Sequence, residues 1–223
     1  MRAVQRGRFI TFEGGEGTGK STQARILTER LAAGGTPTLL TREPGGSQGA
    51  EALRGLLLQG EASRWSPLSE TLLMYAARAD HLEKTIRPAL EAGTWVVSDR
   101  FADSTRAYQG AGGGVPPEFI GELESAVVAH TRPDLTVTFD VPVEVGLARA
   151  YGRGAYGQGA YGGGETDRFE SKDLQFHTRL AAAFLDIARH DPDRCVIIDA
   201  SGSPEAVAEA VWAAVRERLA VAV

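Results

Sequence analysis

Phe9-Ile10-Thr11-Phe12-Glu13-Gly14-Gly15-Glu16-Gly17-Thr18-Gly19-Lys20-Ser21 is a β-rich run that breaks into a glycine-rich turn, and helical spacing resumes at once over residues 22–31. The segment from Gly14 to Ser21 fits the pattern G-x-x-x-x-G-K-[ST] at every fixed position, in the strand-loop-helix context that such a phosphate loop requires. Glycines let the backbone wrap a triphosphate, so that successive N–H groups and the helix N-terminus face the anion. This assigns Gly14, Gly15, Glu16, Gly17, Thr18, Gly19, Lys20, Ser21 and Thr22 to nucleotide binding. Lys20 supplies a point charge to the β and γ phosphates, and the Ser21 hydroxyl is positioned to ligate Mg²⁺.

Outward from this loop, short β-rich runs recur at 38–41, 95–98, 135–139 and 196–199. Longer segments with helical spacing separate them, at 68–90, 118–130, 173–189 and 205–219. Nearly unbroken apolar strands alternating with helices predict a parallel sheet covered on both faces, a three-layer α/β/α fold with five strands. Ligands bind such sheets beyond the carboxyl ends of the strands, which singles out Glu13, Arg42, Asp99, Asp140 and Asp199. One domain over 1–223 is expected, because no interior linker interrupts the pattern. Seven of the 27 glycines fall within 152–164, in Ala-Tyr-Gly-x-Gly pentads that begin at Ala150, Ala155 and Ala160. Glycine at that density destabilises a helix, so this stretch reads as a mobile loop, part of a glycine-rich lid over about 149–168.

The composition, 43% hydrophobic and 24% charged, excludes disordered and collagen-like classes. A net charge of -5 argues against nonspecific nucleic-acid binding, which rests on neutralising many phosphates. Only three of the 24 basic residues are lysine, so that an arginine is informative only inside a motif. The single cysteine, Cys195, lies in an apolar run and reads as core filler. No apolar stretch approaches the length of a membrane span, and that after Arg2, Arg6 and Arg8 is too short for a signal peptide. The expected location is the cytoplasm, with no membrane partner.

A phosphate loop alone leaves motors, GTPases, transporters and kinases open. No Asn-Lys-x-Asp run for reading guanine occurs in the chain. The third strand ends Ser98-Asp99-Arg100-Phe101, where Asp99 can hold a Mg²⁺ shell while Arg100 grips a second phosphate; a plain Asp-Arg ion pair is the alternative.

Together with Thr41-Arg42-Glu43-Pro44-Gly45-Gly46, these motifs make the chain closely resemble the thymidylate kinases. The resemblance extends through Tyr75-Ala76-Ala77-Arg78, Ser104-Thr105-Arg106-Ala107-Tyr108-Gln109-Gly110, Arg132-Pro133-Asp134-Leu135-Thr136, Val143-Glu144-Val145-Gly146-Leu147-Ala148-Arg149 and Asp167-Arg168-Phe169-Glu170. It implies a P-loop kinase fold, phosphorylation of dTMP by ATP with Mg²⁺, and a homodimer. It assigns the dTMP phosphate to Arg42, Arg54 and Arg100, whose planar forks suit phosphate oxygens. It places Glu16 at the sugar 3′-hydroxyl, Arg78 at thymine O4, Thr105 and Gln109 near the polar edge of the base, and Tyr108 under the deoxyribose. Glu170 matches a carboxylate near the acceptor nucleotide. Met74 stands where the family has a phenylalanine stacked on thymine; methionine can lie on a π face, or Met74 is ordinary helix core.

Some members carry a catalytic arginine in the phosphate loop, and this loop has none. The chain thus resembles the branch that supplies it from the lid, where Arg153 is the first choice, with Arg149 and Arg168 as supporting charges. Two other readings stay open at this point: a kinase for another nucleoside monophosphate such as dUMP, or an inactive nucleotide-binding regulatory module.

Overall fold

The computed structural model describes residues 5–61, 63–155 and 173–220, the last three of the middle segment by their backbone alone. Its strands are β1 (Phe9–Gly14), β2 (Thr38–Arg42), β3 (Trp95–Asp99), β4 (Leu135–Asp140) and β5 (Cys195–Asp199). All pair in parallel, in the order β2-β3-β1-β4-β5. Chain order reverses on either side of β1, and such a switch point opens a crevice at the strand ends. The phosphate loop leaves β1 there. Register aligns Arg42 with Asp99, Phe12 with Asp99, Gly14 with Phe139, and Asp140 with Asp199, so the polar strand ends share one edge.

The helices are α1 (Lys20–Ala33), α2 (Gln48–Leu58), α3 (Pro67–His81), α4 (Arg87–Glu91), α5 (Ala102–Thr105), α6 (Pro117–Val127), α7 (Val143–Ala155), α8 (Leu174–His190) and α9 (Pro204–Leu219). A π-helical stretch, Leu82–Ile86, joins α3 to α4, and another, Arg106–Gly112, follows α5. Strand alternation sorts the core into two layers. Ile10 and Phe12 pack with Leu27 and Leu31 of α1 and Val211 and Val215 of α9. On the opposite face Phe9 packs with Leu82, Ile86, Leu90 and Phe101. Thr11 and Glu13 share the face of Phe9, and the Thr11 hydroxyl meets that of Thr136 at 2.7 Å.

Cys195 is buried, and burial pushes its thiol up to about 12, in keeping with core filler. The expected loop over 152–164 is corrected at its start, because α7 continues through the first pentad to Ala155. Helix propagation costs far less than nucleation, and the apolar turns from Val143 onward supply the nucleus. The later pentads, together with Arg168 and Glu170, lie outside the described residues.

Candidate active site

The phosphate loop turns on glycines that hold left-handed backbone, and α1 begins immediately after Gly19 (φ 93°). At Gly17 (φ 66°) an added Cβ would lie 1.8 Å from Gly146 O, so the loop packs directly on the backbone of α7. Lys20 is buried and its ammonium donates to Gly15 O at 2.6 Å and Gly14 O at 3.1 Å. Burial and the nearby Arg100 charge depress it to about 8, against the pull of Glu16 and Asp99.

The adjacent residues Asp99 and Arg100 part company. Ser21 donates a short hydrogen bond to Asp99 Oδ2, which brings the two expected metal ligands into contact. A hydroxyl and a carboxylate at the head of α1 form an all-oxygen pair suited to Mg²⁺, with phosphate oxygens and waters left to complete an octahedron. Arg100 instead turns to the phosphate loop. Its Nη1 donates to Gly14 O at 3.0 Å and Ser104 Oγ at 3.2 Å, and its Nη2 to Glu16 Oε1 and the Tyr108 hydroxyl, both at 2.9 Å. The alternative of an Asp99–Arg100 ion pair is therefore replaced by an Arg100–Glu16 pair. Arg100 has φ 71°, a left-handed conformation that a non-glycine residue adopts only when its surroundings impose it.

Glu16 accepts from Arg100 and, in a short hydrogen bond, from Tyr108. Burial opposes its ionisation, but Arg100 and Lys20 outweigh that and hold it at about 2. Tyr108 sits on the second π-helical stretch with its ring edge-on to Phe176 and Phe184. Single π turns are frequent at functional sites because they re-aim side chains within a helix.

A second cluster gathers around Arg78. Its Nε donates to Glu43 Oε2 at 2.8 Å and its Nη2 to Thr105 Oγ1 at 3.1 Å. Gln109 is buried and donates to Glu70 Oε1 at 2.7 Å. Met74 is half-buried against the group that contains Tyr108, Phe176 and Phe184. Tyr75 belongs to a different group and donates to Ile120 O at 3.3 Å. Arg42 pairs with Glu51 at 3.1 Å and Arg54 donates to Pro44 O at 2.7 Å, which sets both guanidiniums beside the loop after β2.

The lid residues are placed only in part. Arg149 donates to Ala200 O at 3.0 Å and Ser201 O at 3.4 Å, in the loop after β5. Arg153 lies in the last turn of α7.

Motif reading missed Glu43, Glu70, His81 and His177 as site residues. Helical spacing offered a signal for two, since Glu70, Met74 and Arg78 fall four apart and His81 follows Arg78 by three. His177 is buried beside the phosphate loop in a cavity that it lines with Glu16 and Asp140, and neither ring nitrogen has a hydrogen-bond partner among the described residues. Nothing in its local sequence marks it.

Comparisons with known proteins point to one family. The family model described as thymidylate kinase matches residues 12–211. A thymidylate kinase of Caulobacter vibrioides is 56% identical over 216 residues, covering 97% of this chain and 99% of the relative. One from a Bradyrhizobium species is 53% identical over 222 residues, covering 100% and 95%. The crystal structure of thymidylate kinase from Ehrlichia chaffeensis superposes with a TM-score of 0.74 at 32% identity, covering 94% of this chain and 99% of that one.

Proposed function

The chain belongs to the thymidylate kinase family, and from that premise we propose which of its residues carry the family's reaction, transfer of the γ-phosphoryl group of ATP to dTMP to give ADP and dTDP. Phosphoryl transfer is catalysed mostly by positioning and by stabilisation of charge. The glycines of the phosphate loop, with Thr18, Thr22 and the head of α1, hold the ATP triphosphate. Lys20 leaves the Gly14 and Gly15 carbonyls to meet the β and γ phosphates. Ser21 and Asp99 would hold Mg²⁺, which when bound neutralises charge on the phosphate oxygens.

On the acceptor side, Arg42, Arg54 and Arg100 grip the dTMP phosphate. Glu16 takes the sugar 3′-hydroxyl, Tyr108 supports the deoxyribose, and Arg78, Thr105 and Gln109 read the base, with Met74 against its face. The observation that carries this division is Arg100, bonded at once to the phosphate-loop carbonyl of Gly14, to Glu16 and to Tyr108. One guanidinium thereby spans the seam between donor and acceptor. Arg153 carries the transition-state charge from the lid, with Arg149 and Arg168 in support and Glu170 near the acceptor. The enzyme acts in the cytoplasm as a homodimer.

Coupled ADP-release kinetics on the full chain with dTMP, dUMP, ribo-TMP, dCMP and AMP test the assignment. The highest kcat/KM is expected for dTMP. An equal or higher value for any other monophosphate overturns it.

A further inference from the structure

Arg78 is enclosed on nearly every side. The rings of Tyr75 and Phe101 lie 4.7 and 5.2 Å from its central carbon. Its Nη2 donates to Phe101 O at 3.0 Å and Thr105 Oγ1 at 3.1 Å. Contacts at one terminal nitrogen leave a planar group free to pivot about that atom. The second fixed point is Nε, which donates to Glu43 Oε2 at 2.8 Å. That arrangement leaves Nη1 buried with no hydrogen-bond partner among the described residues. An unpaired buried donor costs its full desolvation penalty, so a donor kept in that state needs an explanation such as a ligand acceptor.

Glu43 is itself held from behind. Its Oε1 lies 3.2 Å from His81 Nδ1, and His81 Nε2 lies 2.7 Å from Thr41 Oγ1 at the end of β2. The loop closes on this pair without room for a side chain, since a Cβ at Gly46 would come 2.3 Å from His81 Nε2 and 2.4 Å from Thr41 Oγ1. Glu43 also sits between Arg42 and Pro44, whose carbonyl holds Arg54. The loop that carries the phosphate-binding candidates therefore also fixes the arginine assigned to the base.

We propose that Glu43, backed by His81, is a specificity-determining positioning residue: it locks the Arg78 guanidinium so that Nη1 is presented to a carbonyl oxygen on the acceptor's pyrimidine. The proposal rests on the reading of Arg78 as the base-binding arginine. Thymine offers a carbonyl at C4, whereas cytosine offers an amino group there, which would set donor against donor. A buried ion pair by itself is weak evidence for a stabilising role, because well-packed apolar residues can replace one without loss. What such residues cannot supply is a fixed orientation for one N–H.

Steady-state kinetics with dTMP and dCMP at saturating ATP, and with ATP varied at saturating dTMP, provide the test, on wild type, Glu43→Gln, Arg78→Ala and the double variant, each checked for folding by thermal unfolding. Arg78→Ala should lower the preference for dTMP over dCMP. Glu43→Gln should raise the KM for dTMP about tenfold and lower the preference about tenfold, with the KM for ATP unmoved, since a misaligned hydrogen bond in a buried site is worth roughly that factor. In the Arg78→Ala background, Glu43→Gln should change the preference little, because a residue that acts through another is silent once that other is gone. If Arg78→Ala leaves the preference intact, the base-binding reading fails. If Arg78→Ala relaxes it but Glu43→Gln does not, or if Glu43→Gln acts equally in both backgrounds, the positioning role is overturned. Should Glu43→Gln not fold, His81→Gln loosens the carboxylate without removing its charge. A smaller drop in the same preference supports the proposal, and an unchanged preference overturns it.

Discussion

Lys20 shows how a residue can be legible by type and spacing while its resting geometry is not. Spacing places an ammonium at the phosphates, and the folded chain has it curled onto Gly14 O and Gly15 O, buried and depressed to about 8. Those carbonyls stand in for the phosphate oxygens the group is assigned to meet. The loop itself is shaped by glycine backbone, so Lys20→Ala should leave the fold in place and lower kcat by about 10²- to 10³-fold, the cost typical of removing one preorganised donor to a charged transition state. Turnover within a factor of a few of wild type, in a variant whose circular dichroism is unchanged, would rule that role out. Asp99 and Arg100 teach the complementary lesson. Adjacent in sequence and read as possible partners, they take different partners, Ser21 and Glu16, because the left-handed turn at Arg100 swings consecutive side chains apart. No sequence motif states a backbone angle at a non-glycine residue.

At the level of elements, the five strands were legible because each is a short run rich in β-branched, leucine or aromatic residues. The long helical segment 68–90 was legible too, but not its π-helical interruption, since Leu82, Ile86 and Leu90 at steps of four satisfy either winding. The helix α2 escaped because it buries only Ala50 and Leu57 and leaves Leu56 exposed, so its period is faint. The stretch Arg106–Gly112 escaped because Gly110 and Gly112 read as loop. Pairings such as Glu43 with His81 join residues 38 apart in sequence and arise only when β2 and α3 are brought together. The contact of α7 with the phosphate loop is another product of the fold. A Cβ at Gly146 would lie 2.5 Å from Glu16 O, a backbone atom that cannot rotate away. Gly146→Ala should therefore push the loop out of shape and weaken ATP binding about tenfold or more, as misplaced donors lose alignment. Gly152→Ala is the control on the same helix, where an added Cβ meets nothing within 4 Å among the described residues. It should stabilise the chain by up to about 1 kcal/mol with ATP affinity unchanged. Titration calorimetry that finds equal ATP affinities in the two variants would show that α7 does not brace the loop.

Over the whole molecule, Glu13 ties the site to the sheet and so makes stability depend on pH. It is the next-to-last residue of β1, with its carboxylate fully buried, accepting from Phe101 N at 2.8 Å, Ser104 N at 3.2 Å and Ser104 Oγ at 2.7 Å. Behind it, Asp103 pairs with Arg194 at 2.7 Å, and Arg194 also donates to Thr136 Oγ1 at 2.6 Å, which links α5 to β4 and to the loop before β5. Burial, reinforced by the negative charge of Asp103, raises Glu13 from 4.5 to about 7, and the donors from Ser104 and Phe101 only partly oppose this. A carboxylic acid whose folded value exceeds its unfolded value binds more protons in the native state between the two. Stability must then fall as pH rises across that window, by at most about 1.4 kcal/mol per pH unit, and level off above it. Other groups act outside the window. Glu16, held at about 2, contributes stability that is lost only as the solution is acidified below 4.5. Lys20, depressed from 10.5 to about 8, adds stability as pH rises between those values, while Cys195, raised from 9.0 to about 12, removes it over its own interval. Glu13→Gln isolates the effect, because an amide oxygen still accepts from Phe101 and Ser104 while its NH₂ donates to the Ser104 hydroxyl. Urea unfolding at pH 5, 6, 7 and 8 should show wild type losing stability up to about pH 7 and the variant flat over the same range. Parallel profiles for the two proteins would mean that Glu13 is ionised throughout and that its charge is compensated within the Ser104 and Arg100 cluster.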